Sequence, residues 1–238
     1  MPRIIALLNP RSATGKTTLA VNLAISFSLL EKKTLYVDCT STGVGTRMVM
    51  DSNRSVSFGV AEVVSGMVGV KGALVAGKNR WIDLIPASAG EGETETLLAQ
   101  NPDKERALFF SLRPLFQAYD QVVVDTPSGM GFFVRSALAL ATEVLIPLHP
   151  GWNVISQLKV AQECADDIRK EHNPALKMGG VVYMGEFNRI LPTDIPCTGK
   201  LPHCDTLQKG MATGEPAAFL DIFSGGAQAC LDLARSMV

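Results

Sequence analysis

An apolar run, a short polar loop and a helical pattern follow one another in residues 4–23, IIALLNPRSATGKTTLAVNL. The helical pattern begins at Gly15-Lys16-Thr17, where backbone N–H groups and the helix dipole favour an anion. Lys16 supplies an ammonium group and Thr17 a hydroxyl, which suit a triphosphate and a magnesium ion. This order of elements predicts a phosphate-binding loop between a first strand and the helix behind it.

Apolar β-rich runs alternate with helical patterns along the rest of the chain. The runs predict strands at 4–8, 34–38, 82–85, 121–125, 144–147 and 180–184. Helical spacing predicts helices at 16–31, 60–66, 104–118, 131–141, 154–171 and 225–237. Such alternation is typical of an α/β fold, in which helices cover both faces of a mainly parallel, twisted sheet. Ligands bind at the carboxyl ends of the strands in such folds.

Length and composition agree with one α/β domain over residues 1–238. The chain is 47% hydrophobic, which is enough for a substantial core. Its 22 basic and 23 acidic residues give a formal charge of -1, so binding to nucleic acid would need a local basic patch. Five scattered cysteines do not form a disulfide framework, and no apolar run reaches membrane-spanning length. We therefore expect a soluble, cytoplasmic protein.

Two aspartates end predicted strands. Asp125 closes QVVVD before TPSG, and Asp38 closes LYVD before CTSTG. A carboxylate at the end of a buried strand beside a phosphate loop can hold magnesium, usually through water. Alternatively, Asp125 caps the next turn and Asp38 satisfies backbone N–H groups in its own loop. The strand that runs into D-T-P-S-G, together with the phosphate-binding loop upstream, favours the magnesium interpretation for Asp125.

The loop resembles that of the ParA/MinD family of ATPases, whose deviant Walker A box reads K-G-G-x-G-K-[ST]. Residues 9–18 match its second half, whereas Arg11 stands at the first lysine and Ser12 and Ala13 at the paired glycines. Pro10 occupies the first glycine position of the common G-x-x-x-x-G-K-[ST] pattern. A left-handed backbone at Ala13 would cost about 1–2 kcal/mol, so either the loop path differs or strain is tolerated.

The resemblance extends along nearly the whole chain. The stretch 57–88 is similar to the family's small helix and strand ending in L-I-P-A, and 122–129 and 141–155 resemble its fourth and fifth strands. Residues 190–220 resemble its late loop with I-P, a short helix and G-x-P. The order of these segments, more than any single one, carries the resemblance. It implies a P-loop NTPase fold of the SIMIBI class.

The resemblance implies an ATPase that binds ATP and Mg²⁺ and dimerises when ATP is bound. The phosphate-contacting residues would be Arg11, Ser12, Ala13, Thr14, Gly15, Lys16, Thr17 and Thr18. Thr17 and Asp125 would organise the metal, and Lys16, Asp38 and Arg11 would act in catalysis. Arg11 would reach the partner's phosphates across the dimer interface, unless it is merely a solvent-exposed arginine.

The family also implies partners. The dimer would position a cargo, either plasmid or chromosome DNA or a large protein assembly, and a ParB-like or other adaptor protein would activate it. ParA-like members hold DNA non-specifically, which would place this protein on the nucleoid. The C-terminal segment GGAQACLDLARSMV lacks the basic amphipathic character of a MinD-like membrane helix, so no membrane contact is expected.

One departure from the family's sequence pattern affects the expected rate of ATP hydrolysis. The family has a second aspartate after Asp38, which helps to orient the attacking water, and this chain has Thr40 there. We expect weak hydrolysis, because phosphoryl transfer depends mainly on positioning and charge stabilisation. The alternatives are a regulatory nucleotide-binding protein that does not hydrolyse ATP, and a biosynthetic ligase related to dethiobiotin or cobyrinic acid synthetases. The late segment favours the ParA-like hypothesis over the ligase.

Overall fold

The central feature of the computed structural model is one sheet; the structure describes residues 1–88, 103–150, 153–187 and 193–238. Eight strands of these residues form it in the order β3-β4-β2-β5-β1-β6-β7-β8. The strands are β1 (Arg3–Leu7), β2 (Thr34–Asp38), β3 (Val75–Ala76), β4 (Ile82–Ile85), β5 (Gln121–Asp125), β6 (Glu143–Leu148), β7 (Lys177–Met184) and β8 (Cys197–Leu201). All neighbouring pairs are parallel except β3 with β4, which confirms the mainly parallel sheet.

Helices lie on both faces of the sheet. They are α1 (Lys16–Leu29), α2 (Val44–Val49), α3 (Val60–Val64), α4 (Val70–Ala73), α5 (Ala107–Leu112), α6 (Phe132–Leu140), α7 (Val154–Glu171), α8 (Asp205–Thr213), α9 (Ala217–Leu220) and α10 (Gly225–Ser236). Two 3₁₀ helices, Lys104–Arg106 and Arg113–Ala118, flank α5. The predicted helix over 104–118 is thus divided, and Pro114 in the first turn of the second 3₁₀ helix lacks the N–H that a continuous α-helix would use.

The side chains of the central strand β1 alternate between the two faces of the sheet and pack into a separate core on each face. Ile5 and Leu7 pack on the face covered by α1, α2 and α10, whereas Ile4 and Ala6 pack on the face covered by α5, α6 and α7. Successive side chains of a strand point to opposite faces, so a strand that is apolar throughout must be buried on both. The two cores confirm the prediction that helices cover both faces.

The predicted strands at 34–38, 82–85 and 121–125 have the observed bounds, and β6 and β7 are longer than predicted. Hydrophobic periodicity did not predict β3, β8, or helices α2, α4, α8 and α9, although the resemblance implied a short helix within residues 190–220, which contain α8 and α9. β3 has only two residues, and the CTGKL of β8 has a single fully buried side chain, Leu201. The polar, Gly-rich composition of PASAGEGE, residues 86–93, predicts a loop, and residues 89–93 of it lie outside the described ranges.

The sheet order brings three loops to one edge. β1 lies between β5 and β6, and β2 lies on the other side of β5. Asp38 and Asp125 are directly paired in register at the carboxyl ends of β2 and β5. The loops that follow β1, β2 and β5 therefore meet at the carboxyl edge, as the sequence predicts.

Candidate functional site

Asn9 fixes the start of the loop after β1. Its side chain is fully buried, and its amide nitrogen donates to the Pro147 carbonyl at 2.8 Å and to Gln157 Oε1 at 3.0 Å. Its Oδ1 accepts the Arg11 N–H at 2.9 Å. These bonds connect the loop to β6 and to α7, so the loop is held from outside as well as by its own turns.

The loop then passes through two left-handed residues. Ala13 has φ +56° and Gly15 has φ +89°. Ala13 therefore carries the backbone strain that its Cβ implies, and the loop does not take a path that avoids it. At Gly15 the positive φ favours glycine, whereas the atom nearest to an added Cβ, Met184 Cε at 2.7 Å, is the end of a flexible side chain that can move.

Lys16, the first residue of α1, points back into the loop. Its Nζ donates to the carbonyls of Asn9 at 3.0 Å and of Arg11 at 2.8 Å, and the residue is 7% exposed. Burial lowers the pKa of Lys16 to about 8, against the attraction of Asp125, which raises it. Near neutral pH the ammonium is therefore mainly charged, and it is held by neutral carbonyls, which a phosphate oxygen can replace.

Asp125 ends β5 and is fully buried. The Tyr36 hydroxyl donates to its Oδ2 at 3.0 Å, and within the described ranges its Oδ1 has no hydrogen-bond partner in acceptable geometry. Burial, followed by the charge of Asp38, raises the pKa of Asp125 to about 7, while the Thr17 hydroxyl, Tyr36 and Lys16 oppose the increase. An unsatisfied buried carboxylate oxygen beside a threonine hydroxyl fits a divalent cation, which takes oxygen ligands.

Asp38, unlike Asp125, accepts hydrogen bonds at both of its carboxylate oxygens. Its Oδ1 accepts the N–H and hydroxyl of Thr40, and its Oδ2 accepts the N–H and hydroxyl of Thr46, at 2.7–3.0 Å. These bonds attach the loop after β2 to helix α2. Asp38 therefore organises the loop from beneath, as its backbone-satisfying interpretation predicts, and it is not among the described residues that line the cleft.

The predicted phosphate residues surround one cleft. It has a volume of about 280 Å³ and is lined by Ser12, Ala13, Thr14, Gly15, Lys16, Thr17, Thr18, Thr40, Ser41, Thr42, Thr126, Pro127, Ser128 and Met211. Arg11 does not line it and is exposed at its margin. The three lining residues from the loop after β2, Thr40, Ser41 and Thr42, all carry hydroxyl groups.

A second cleft of about 400 Å³ adjoins the first and shares Ala13, Gly15, Thr18 and Met211 with it. Its other lining residues come from β7, β8 and α8: Met184, Leu201, Leu207 and Gln208, together with His149, Gly185, Pro202, His203 and Cys204. The sequence offers Met184 and Pro196 as candidates for contact with a nucleotide base, and Met184 does line this cleft. Pro196, the other one, does not, and its carbonyl accepts the Val181 N–H beside the sheet. Leu201, Leu207 and Met211 were missed because β8 and α8 were not predicted.

In the described part of the chain no three His, Cys, Asp or Glu residues are grouped as metal ligands, Cys197, His203 and Cys204 included. No described helix is long and apolar enough to cross a membrane. Trp152 and Arg189 lie outside the described ranges.

The chain is similar to several known proteins along most of its length. The AAA domain family matches residues 2–178. The chromosome partitioning protein ParA of Myxococcus xanthus is 27% identical over 99% of this chain and 88% of its own length. The chromosome-partitioning ATPase Soj of Treponema pallidum is 26% identical over 100% of this chain and 98% of its own length. Cobyrinic acid a,c-diamide synthase of Mycobacterium smegmatis, solved with an ATP analogue and magnesium, has the same fold at 22% identity, with a TM-score of 0.84 over 100% of this chain and 94% of that one.

The raised pKa of Asp125 predicts a pH-dependent stability difference for Asp125→Asn. Folding raises this pKa to about 7, so the ionised carboxylate destabilises the fold as pH rises from about 4 to 7. In urea denaturation with EDTA, Asp125→Asn should exceed the wild type at pH 8 by on the order of 2–4 kcal/mol in free energy of unfolding, and the gain should vanish near pH 4.

The matched control is Asp232→Asn. Asp232 is exposed and pairs with Arg235, so its replacement should give no gain that grows with pH. A variant at Asp125 that is less stable than the wild type at pH 8 would contradict the assignment of burial as the cause.

Proposed function

The chain belongs to the AAA domain family and is a divergent member of the ParA/MinD ATPases, and from this premise we propose that it is an ATP-dependent dimerising ATPase that partitions or positions a cargo. Residues 1–238 would act as one ATPase domain. The observation that carries the proposal is the unsatisfied Oδ1 of buried Asp125, at the edge where the loop after β1 folds Lys16 inward.

The phosphate groups would lie on the backbone of residues 12–18. The start of α1 presents N–H groups there, and no acidic side chain lies in the first turn of α1 to compete for them. Lys16 would exchange the Asn9 and Arg11 carbonyls for phosphate oxygens, an exchange of neutral for charged acceptors that favours the bound state. A loop whose lysine is already hydrogen-bonded to carbonyls could therefore still bind a polyanion.

Thr17 and Asp125 would hold Mg²⁺. Bound there, the ion would neutralise charge that develops on the phosphates during phosphoryl transfer. The donor set fits, because a threonine hydroxyl and a carboxylate oxygen are hard ligands and magnesium keeps several waters of its own. The base would occupy the second cleft, where Met184, Leu201 and Leu207 supply an apolar surface.

Arg11 is better placed to contact the phosphates of a nucleotide bound to a second copy of the chain than those of a nucleotide bound to its own protomer. It lies exposed at the margin of the phosphate cleft, outside the lining, so its side chain could reach a second copy of the chain that faces that cleft. Its planar fork favours bidentate contact with phosphate. We therefore propose ATP-bound homodimers, with Arg11 contacting phosphate across the interface.

Turnover would be slow. The Thr40 hydroxyl donates its proton to Asp38 at 2.7 Å, so toward a water it can act only as an acceptor. Asp38 itself already accepts from two backbone N–H groups and two hydroxyls, so it offers no strong base to the cleft. Weak hydrolysis would come from positioning and charge alone, and a ParB-like or other adaptor would accelerate it. The cargo would be DNA or a large protein assembly, with non-specific DNA contacts at the nucleoid.

Replacing Lys16 tests the proposal. Lys16→Ala removes a charge-assisted contact that contributes about 1.5–3 kcal/mol, so ATP should bind about 10- to 100-fold more weakly. In sedimentation velocity, Mg·ATP should convert the wild type from monomer to dimer and leave the variant monomeric. Lys170→Ala, on the exposed end of α7, should dimerise like the wild type. The proposal fails if Mg·ATP leaves the wild type monomeric, or if Lys16→Ala dimerises equally well.

A second candidate function is a nucleotide-binding regulator that does not hydrolyse ATP. The saturated hydrogen bonding of Asp38 and the hydroxyl at Thr40 favour it. Thr40→Asp would place a carboxylate beside the phosphate cleft, and a positioned base contributes at least about 100-fold to many reactions. If the regulator hypothesis holds, this variant should release phosphate from ATP, whereas the wild type and the control Thr213→Asp, at an exposed position outside both clefts, should not. Steady phosphate release by the wild type would contradict the regulator hypothesis.

A further inference from the structure

Tyr36 lies in the middle of β2 and is fully buried on the face of the sheet that α1 covers. It pairs in register with Val123, two residues before Asp125, and its long side chain extends along the sheet to the carboxylate. The hydroxyl donates to Asp125 Oδ2 at 3.0 Å. A buried phenol without an acceptor would cost about 1–3 kcal/mol, so this bond is what makes the polar end of Tyr36 tolerable in the core.

Gly45 leaves the space that the hydroxyl needs. A Cβ at Gly45, in the first turn of α2, would lie 1.8 Å from Tyr36 Oη. The next residue, Thr46, is bonded to Asp38 through both its N–H and its hydroxyl. The phenol is therefore confined between the Asp125 carboxylate and a helix start that is itself fixed, and its hydroxyl has little freedom to move.

This confinement determines how Asp125 faces the cleft. With Oδ2 committed to Tyr36, Oδ1 is the oxygen left without a hydrogen-bond partner in the described structure, and the Thr17 hydroxyl lies beside the same carboxylate. A carboxylate without the Tyr36 bond could rotate, or could change which of its oxygens accepts from the Thr17 hydroxyl. Either change would remove the preformed arrangement of two oxygen ligands.

We propose that Tyr36 is a positioning residue for the divalent cation: its bond to Asp125 Oδ2 holds the carboxylate so that Oδ1 is presented beside Thr17. The inference rests on the proposed function, because it concerns the cation of the ATP site. Tyr36 itself contacts neither cation nor nucleotide. Outer partners of this kind typically contribute about 10- to 100-fold to metal affinity.

Tyr36→Phe tests the role, with Tyr119→Phe as a matched control. Tyr119 is also buried and donates to a carboxylate, Asp83 Oδ2, at 2.8 Å, but near the opposite ends of the strands. Electron paramagnetic resonance would measure the affinity of each folded variant for Mn²⁺ in the presence of saturating ADP. Tyr36→Phe should bind Mn²⁺ at least about 10-fold more weakly than the wild type, and Tyr119→Phe should bind within about 2-fold of it.

A second measurement uses the unaltered chain and holds even if Tyr36→Phe does not fold. The protein has three tyrosines, so ¹³Cζ-tyrosine labelling gives three resonances, which Tyr119→Phe and Tyr183→Phe assign. Addition of Mg²⁺ to the ADP-loaded protein should shift the Tyr36 resonance and leave the Tyr119 resonance in place. An unchanged Tyr36 resonance would overturn the inference.

The outcomes distinguish the positioning role of Tyr36 from the proposed ATP site. Wild-type affinity for Mn²⁺ in Tyr36→Phe would overturn the positioning role and leave the proposed ATP site standing. Absence of ADP-dependent Mn²⁺ binding in the wild type would overturn the proposed function and the positioning role together. Equal losses in Tyr36→Phe and Tyr119→Phe would show a general effect of destabilisation and would also overturn the specific role.

Discussion

A buried carboxylate that the fold leaves half satisfied is the constraint on which this site depends. Asp125 is fully buried at the end of a central strand, with one oxygen bonded to Tyr36 and the other without a partner in the described structure. Desolvation makes its charge costly, and only part of that cost is offset by neighbouring donors. A cation beside Thr17 would supply the missing interaction, which is why the arrangement is better explained by a ligand than by stability.

The parallel sheet is what makes such an arrangement possible. Because β1, β2 and β5 run parallel and adjacent, their carboxyl ends bring the phosphate loop, Asp38 and Asp125 to one edge. The loop is then fixed from outside by Asn9, which bonds to β6 and α7. Strain at Ala13 is tolerated within this framework, since a loop held at several points can retain an unfavourable backbone conformation. Rigidity of this kind preserves an anion site before the anion arrives.

Some elements of the fold and of the site could be predicted from the sequence alone, and others could not. The runs that became β2, β4 and β5 were predicted with their observed bounds, because apolar strands buried on both faces read as continuous segments. The loop and both aspartates were found from the order of elements. By contrast, the Tyr36–Asp125 bond joins residues 89 apart, and β8 and α8 hold few apolar side chains in regular spacing. Contacts that depend on sheet order and side-chain reach were beyond a pattern-based prediction.

The most direct test of the central claim is isothermal titration calorimetry of the purified protein with ATP, with and without Mg²⁺. One ATP per chain should bind saturably to the wild type, and Mg²⁺ should strengthen this binding. In Asp125→Asn the strengthening by Mg²⁺ should be lost while some binding of ATP persists through the loop. Absence of ATP binding in the presence of Mg²⁺, or equal strengthening by Mg²⁺ in Asp125→Asn, would contradict the account.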